Sequence, residues 1–520
     1  MAHDRSSYHL SRLSRRNFLR FGGLGLGLTI LSACGATEPT ATVAPVKPSA
    51  APSVAASTAP ASAAPASTAP AASAAASSAS AAASSAPASA AAASASAAPA
   101  SAAASGAATA RPSAAASVAK PFAGKELNLL SPTHHTTNVK DLWIPLFQEK
   151  TGAKVNYTEI GSGDVDAKYA VFVASQDATF DSFYSWETLN AKYGPALMED
   201  LTPKVSKTLL DSLVPAPVKA FTFLGKIYAL PFDANMSIFM WNQDLYKAAG
   251  LDPAKPPQSW AEYMEFSKKL TTGGKYATLF TFGDANSGFV SFAQLFNTTG
   301  GQLLSDDLKK LQADNEFGLA TLEALQDAHV KSKVADPAGV TVSSSIEQGK
   351  IFRAGNMGHY FAFPNHYALS LDPTQSQIVG KAATGIVPGI KQRSASINGF
   401  EGYAINKYSK NKELAMAWVE FTTSAEVQKL VALKWGRPPS LQAVFDDPEV
   451  AKVSPQFAAV REQGKYPAAR YGSPYYFDLG TVINGWTLRV IKGEKEPKEA
   501  LTNIQKEGQQ VIDDYWAKVR

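Results

Sequence analysis

The sequence predicts an α/β protein, and three observations carry that prediction. From Phe122 onward short β-branched or apolar runs alternate with helical patterns, which is the traffic of layered helices on a sheet. Several of those helices carry explicit start signals. The chain also has 520 residues, 45% of them hydrophobic and 10% aromatic, enough for two or three domains with a sizeable core.

In order, Glu126 to Leu130 reads as a short apolar strand and Lys140 to Lys150 as a helix. Lys154 to Ile160, alternating and β-branched, reads as a second strand, and Phe180 to Tyr184 as a third. Ser259, Trp260, Ala261 and Glu262 form a capping box ahead of Tyr263, Phe266 and Leu270, so a helix runs through Lys269. A strand at Met357 to Tyr360 and a helix from Leu479 to Ile491 come later. Leu414, Trp418 and Phe421 line one helix face. Pro497 starts the final helix, with Leu501, Ile504, Val511, Ile512 and Tyr515 as its buried stripe. Trp260, Trp418 and Trp516 sit on such stripes and are read as packing residues.

The first 121 residues are different. They hold 8 Lys and Arg against 2 Asp and Glu, which leaves 41 basic and 42 acidic residues in 122–520. The formal charge of +5 therefore sits outside the globular part, and nucleic-acid binding loses its support. Arg5, Arg12, Arg15, Arg16 and Arg20 precede the uncharged run Phe21 to Ala33, as in an export signal. Its 13 residues are too few for a permanent membrane span, which needs about 20. Ser14 to Arg20 resembles the twin-arginine export motif, and Leu31, Ser32, Ala33 and Cys34 resemble a bacterial lipobox, which implies cleavage before Cys34 and lipidation of its thiol. One cysteine excludes an internal disulfide framework or a zinc ribbon.

Gly35 to Lys120 contains 42 Ala, 18 Ser and 10 Pro, with no aromatic and nothing apolar larger than Val, so it cannot bury a core. Recurrent prolines interrupt the helix that alanine favours, and the segment is read as a tether with a reach of roughly 50 Å. The predicted organisation is a signal peptide at 1–33, a lipidated cysteine and tether at 34–121, and a globular body after them.

Six segments, in order, carry a resemblance. They are Gly225 to Asp233, Trp241 to Leu251, Pro257 to Glu262, Gln348 to Gly358, Gly399 to Asn406 with Ser409 to Ala415 and Trp418, and Gly493 to Leu501. Together they resemble the family 1 extracellular solute-binding proteins, the maltose-binding-protein-like receptors of ABC importers, over about residues 125–520. The fourth segment departs from the family pattern, with Phe352 and Arg353 where small residues are usual. The resemblance implies a two-lobed periplasmic-binding-protein-like fold (type II), lobes joined by hinge crossings around a ligand cleft. It places 122–232 with about 403–455 in lobe one, and about 236–398 with 460–520 in lobe two. It also implies capture of a carbohydrate, with an oligosaccharide preferred, and delivery to ABC permease subunits by a monomeric receptor anchored at the outer face of the cytoplasmic membrane.

A sugar offers apolar C–H faces and a rim of hydroxyls, so aromatic platforms beside carboxylates and amides suit it. His134 lies in the loop after the first strand. Ser185, Trp186 and Glu187 come after the third, where Trp186 either stacks on ligand or caps the core of the next helix. Asp233 and Asn235 sit at the first hinge, and Asp284 lies in a polar loop, as hydroxyl acceptor or plain turn residue. Phe361, Phe363 and Asn365 come after the strand of the second lobe, Glu401 begins the hinge strand, and Trp435 and Arg437 occupy a loop near the end. Arg437 fits a hydroxyl pair, an acidic group or an interlobe carboxylate. His134, His135, His359 and His366 lack the tight spacing of HxxxH or HExxH, so no metal and no cofactor is expected. Three alternatives stay open: a receptor for an anion, polyamine or ferric complex; a receptor that signals; and a lipid-anchored glycoside hydrolase, an enzyme class weakened by the absence of GxSxG, P-loop and HExxH patterns.

Overall fold

A computed structural model describes residues 120–519. The expected signal peptide, Cys34 and nearly all of the tether lie outside the described residues. Two sheets organise the globular body. β1 (Glu126–Pro132), β2 (Lys154–Ile160) and β3 (Ser182–Trp186) come first. A small hairpin of β4 (Thr222–Phe223) and β5 (Lys226–Ile227) precedes β6 (Ala229–Pro231). β7 (Ile238–Asn242), β8 (His359–Ala362) and β9 (Ala382–Gly385) form the second sheet, and β10 (Glu401–Ile405) returns to the first.

The first sheet has the order β2-β1-β3-β10-β6. β1 runs parallel to β2 and β3, while β10 is antiparallel to both β3 and β6. The second has the order β8-β7-β9, with both pairs antiparallel. Each sheet has its own apolar clusters. Leu127, Leu129 and Leu130 of β1 pack with Trp143, Phe147, Phe183, Tyr403 and Trp418 in one lobe. Phe239, Trp241, Tyr263 and Phe280 pack together in the other. Trp418 stands edge-on to Trp143, Phe147 and Tyr403 at centroid distances of 6.4, 5.2 and 5.7 Å, pairings that add about 0.5–1.5 kcal/mol each beyond area burial.

The chain passes between the sheets through 232–237 and 386–400, and these crossings run side by side: Ser237 N donates to Ile397 O, and Gly399 N to Asn235 O, both at 2.9 Å. A third connection comes after Trp435, where Pro438 O accepts from Ala234 N at 2.8 Å. The result is a two-lobed α/β fold with a multi-stranded hinge.

Several sequence boundaries shift. β3 lies two residues later than expected at both ends, because its last residues pair with the start of β10, Trp186 opposite Glu401. Helical structure begins with a 3₁₀ turn at Thr133–His135 rather than at Lys140, so His134 stands in that turn and not in a loop. It continues through Thr136–Asn138 and a π-turn, Val139–Trp143, before Ile144–Thr151. Ser259 does cap the helix Trp260–Leu270, accepting from Glu262 N at 3.3 Å, but the Glu262 carboxylate accepts from Gln258 N instead of closing the box. On the last helix, Pro497–Val519, Leu501, Ile504 and Ile512 are buried while Val511 and Tyr515 are only half-buried. Trp516 is half-buried too, its indole N–H donating to Leu308 O at 2.8 Å.

Candidate functional site

Strand direction gathers the site. β1 and β3 are parallel, so their C-terminal ends reach the same sheet edge, the position where open α/β sheets present ligand loops. β10 is antiparallel to β3, so its first residue, Glu401, lies at that edge opposite Trp186. β6 is antiparallel to β10 and leads there into Asp233 and Asn235. Loops of the second lobe face this edge across a cleft of about 790 Å³.

At the hinge, Arg437 Nη1 donates to Asp233 Oδ2 at 2.8 Å and to Glu401 Oε2 at 2.5 Å. Asp233 Oδ1 accepts the backbone N–H of Glu401 at 2.9 Å, and Asn235 Nδ2 donates to Asp233 Oδ2 at 3.0 Å. Glu401 Oε1 accepts from the Tyr184 hydroxyl at 2.7 Å and lies 3.1 Å from His134 Nε2. Burial works to raise the Glu401 pKa, but the adjacent His135 imidazole, the Arg437 guanidinium and the close contacts of His134 and His135 outweigh it, and the carboxyl sits well below its ordinary range. Burial and the neighbouring Glu401 push Asp233 the other way, against Arg437. Burial lowers His135 to about 3, with Glu401 opposing, so its imidazole is neutral.

The facing wall is built on the helix Ala285–Asn297. Its Phe289, Phe292 and Phe296 point into the core, while Ser287, Ser291 and Gln294 recur at helical spacing along the cleft. Asp284 caps this helix, its Oδ1 accepting from Ser287 N at 2.7 Å, and Ser287 Oγ accepts from Asp284 N in return. Arg470 holds its guanidinium 5.3 Å from the Trp186 ring centroid, and its Nη2 lies 3.3 Å from Asn286 Oδ1.

Nine of the expected residues line the cleft: His134, Trp186, Asn235, Asp284, Phe361, Phe363, Asn365, Glu401 and Arg437. Arg437 takes the interlobe-carboxylate arrangement of its three readings. Four are not on the lining. Ser185 is fully buried on β3 and donates to Asn190 Oδ1 at 2.8 Å. Asp233 lies under the hinge, saturated by Arg437, Asn235 and the Glu401 amide. The Glu187 carboxyl packs on Gly472, where an added Cβ would come within 2.5 Å of its side chain, and burial raises its pKa against Asn398 and Arg470. Trp435 packs on the lobe-one cluster under the Lys434 ammonium, 4.6 Å from its ring centroid. Phe361 shares its ring with the core, stacked 5.5 Å from Tyr263. His359 is buried in the second lobe on Tyr246 and Ser267, while His366, also buried, reaches the cleft lining and lies 3.4 Å from Arg353 Nη1.

Sequence reasoning missed Tyr184, Gln294 and Arg470. For Gln294 a signal existed, since Ser287, Ser291 and Gln294 make a polar stripe on an otherwise aromatic helix. Arg470 sits in irregular chain and offered none. Four lining side chains carry a buried polar atom without a hydrogen-bond partner among the described residues: the donors Trp186 Nε1 and Arg470 Nε, and the acceptors Asn235 Oδ1 and Gln294 Oε1.

The family model for bacterial extracellular solute-binding protein matches residues 132–429. A probable amino-acid ABC transporter periplasmic-binding protein of Sinorhizobium fredii is 25% identical over 405 residues, covering 75% of this chain and 90% of that protein. A galactooligosaccharide-binding protein of Bacillus subtilis is 21% identical, covering 59% and 72%. The maltose-bound MalE3 structure of T. maritima superimposes with a TM-score of 0.68 at 22% identity, covering 74% of this chain and 99% of that one.

Proposed function

The chain belongs to the bacterial extracellular solute-binding proteins, the receptors of ABC transporters, and from that premise we propose that its solute is a carbohydrate, an oligosaccharide in preference to a single sugar, held by closure of the lobes and passed to a membrane permease. The observation that carries this reading is the mixed set of unpartnered donors and acceptors on the cleft wall. A hydroxyl donates and accepts at once, so a polyhydroxylated ligand satisfies both kinds, whereas a simple anion answers only the donors. Trp186, Phe361 and Phe363 supply apolar surface beside them. The names of the galactooligosaccharide and maltose receptors support the same class. The relative named for amino acids makes those ligands the rival to test.

In this reading the carbohydrate-binding residues are those on the lining, and no bond is broken, so the protein is a receptor and not an enzyme. Lipidation at Cys34 after twin-arginine export would hold the receptor on the outer face of the membrane, with 34–121 as its tether. Among the described residues no helix is long and apolar enough to cross a membrane.

The test is thermal unfolding of the full chain against mono- and oligosaccharides, with amino acids, polyamines, phosphate and ferric citrate as rivals. A ligand at 100 times its Kd adds about 2.7 kcal/mol, a shift of a few degrees. Stabilisation by a sugar that is lost in Trp186→Ala supports the reading. Silence toward every sugar, with a response to an amino acid or an anion, overturns the ligand class and leaves the fold standing.

A further inference from the structure

We propose that His134, His135 and Glu401 form a binding site for a first-row divalent transition cation, Zn²⁺ being the reference case, at the hinge end of the cleft. The three side chains each offer one ligand atom, and these atoms lie within 4.8 Å of one another. His134 Nε2 is 3.1 Å and His135 Nε2 3.3 Å from the same Glu401 oxygen. Two ligands bound at 2.0–2.1 Å on tetrahedral corners stand about 3.3 Å apart, so both separations match edges of a zinc coordination shell.

A separate observation points to a ligand there. His135 is fully buried, yet its Nδ1 has no hydrogen-bond partner among the described residues, and its Nε2 has only Glu401 Oε1 at 3.3 Å, outside hydrogen-bond geometry. A neutral imidazole always carries one N–H and one lone pair, and burying both unpaired is costly. A cation on Nε2 engages that lone pair. Imidazole nitrogen and carboxylate oxygen are both ligands that zinc takes.

The surroundings hold the ligands as outer-shell groups do elsewhere. His134 Nδ1 meets Ser162 Oγ at 2.9 Å, an arrangement in which an Nδ1–H donor turns the Nε2 lone pair toward Glu401. Tyr184 donates to Glu401 Oε1, and Arg437 holds Oε2. Arg437 engages Asp233 Oδ2 and Glu401 Oε2, which leaves Glu401 Oε1 as the carboxylate oxygen facing both imidazoles. His134 and Glu401 both line the cleft, which leaves the remaining coordination position facing the solute. A cation here would add an anchor for a ligand oxygen. The proposal stands on these distances and not on the sugar reading: a chain that binds zinc and no sugar keeps this inference and loses the other.

The experiment uses the untagged full chain carrying Cys34→Ser, so that no thiol competes. After chelator treatment, Zn²⁺ is titrated by calorimetry and Co²⁺ by visible absorption. The expected result is saturable binding of one ion with the intense d–d bands of a four-coordinate nitrogen and oxygen site. His134→Ala and Glu401→Gln should each weaken binding at least tenfold, and Ser162→Ala by about tenfold through the outer shell. His134 and Ser162 lie in short 3₁₀ turns, Thr133–His135 and Ser162–Asp164, outside the hinge crossings, so those two variants report even where Glu401→Gln perturbs the hinge. Absence of stoichiometric binding, or binding that His134→Ala and Ser162→Ala leave unchanged, overturns the proposal.

Discussion

Arg437 Nη1 sits 2.8 Å from Asp233 Oδ2, joining two residues 204 positions apart where separate segments of the chain pass between the lobes. Both side chains are almost wholly buried, at 8% and 1% exposure. Arg437→Met would leave Asp233 and Glu401 buried without their cation, and breaking a buried pair this way costs about 3–5 kcal/mol. Urea unfolding should therefore show a clear fall in midpoint at unchanged slope. A midpoint equal to the parent's would mean the pair contributes nothing to the hinge.

The unpartnered cleft atoms predict a pattern in affinity. Asn235→Ala and Gln294→Ala each remove an acceptor that the fold does not use, so each should weaken ligand binding about 3- to 10-fold. Asn235→Ala also removes the donor to Asp233 Oδ2 and should lower the ligand-free unfolding temperature, while Gln294→Ala, whose amide makes only a long 3.4 Å bond to Ala395 O, should lower it less. Calorimetry on the ligand identified by thermal screening makes the comparison. Equal affinity in both variants would remove these two side chains from the binding surface.

Gly399 faces the ring of Phe363, and a Cβ there would fall 2.4 Å from Phe363 Cε1. Gly399→Ala must displace an aromatic ring from the cleft wall, at a cost of about 1–3 kcal/mol for overpacking. Stability and ligand affinity should fall together. A second change, Phe363→Leu, should restore part of the stability in the Gly399→Ala background.

Acid should weaken the second lobe through its buried histidines. His359 bonds to the Tyr246 hydroxyl at 2.8 Å and to Ser267 Oγ at 3.0 Å, and burial lowers its pKa to about 3; burial does the same to His366. Unfolding restores the ordinary value near 6.5, so the unfolded state binds the extra protons. The stabilisation is complete above pH 6.5 and drains away as pH falls from there toward 3. His359→Gln should flatten the decline of Tm across that window, and a slope identical to the parent's would contradict it.

Much of the fold was legible because local chemistry is written locally. The strand at Lys154–Ile160 has its predicted bounds, Ser259 caps its helix, Pro497 opens the last one, and Trp418 lies at the centre of a core. Six ordered segments carried the family. The site was harder to read, since proximity to a loop after a strand does not say which way a side chain turns. Alternation along β3 sends Ser185 into the sheet interior while Trp186 faces the cleft, and the extension of that strand past Tyr184 is what puts both residues under this alternation.

The sequence by itself determined the class of layers, the capped helices, the near-neutral body and its family, because periodicity, caps and motifs depend on residues a few positions apart. Only the tertiary structure decided that Arg437 serves Asp233 and Glu401, that Arg470 lies against Trp186, and that His134 and His135 converge on Glu401. Those relationships join residues 36 to 284 positions apart, as with Glu401 to Arg437 and Trp186 to Arg470. Strand order and direction set them, and strand pairing is a choice the whole chain makes through burial of its apolar faces.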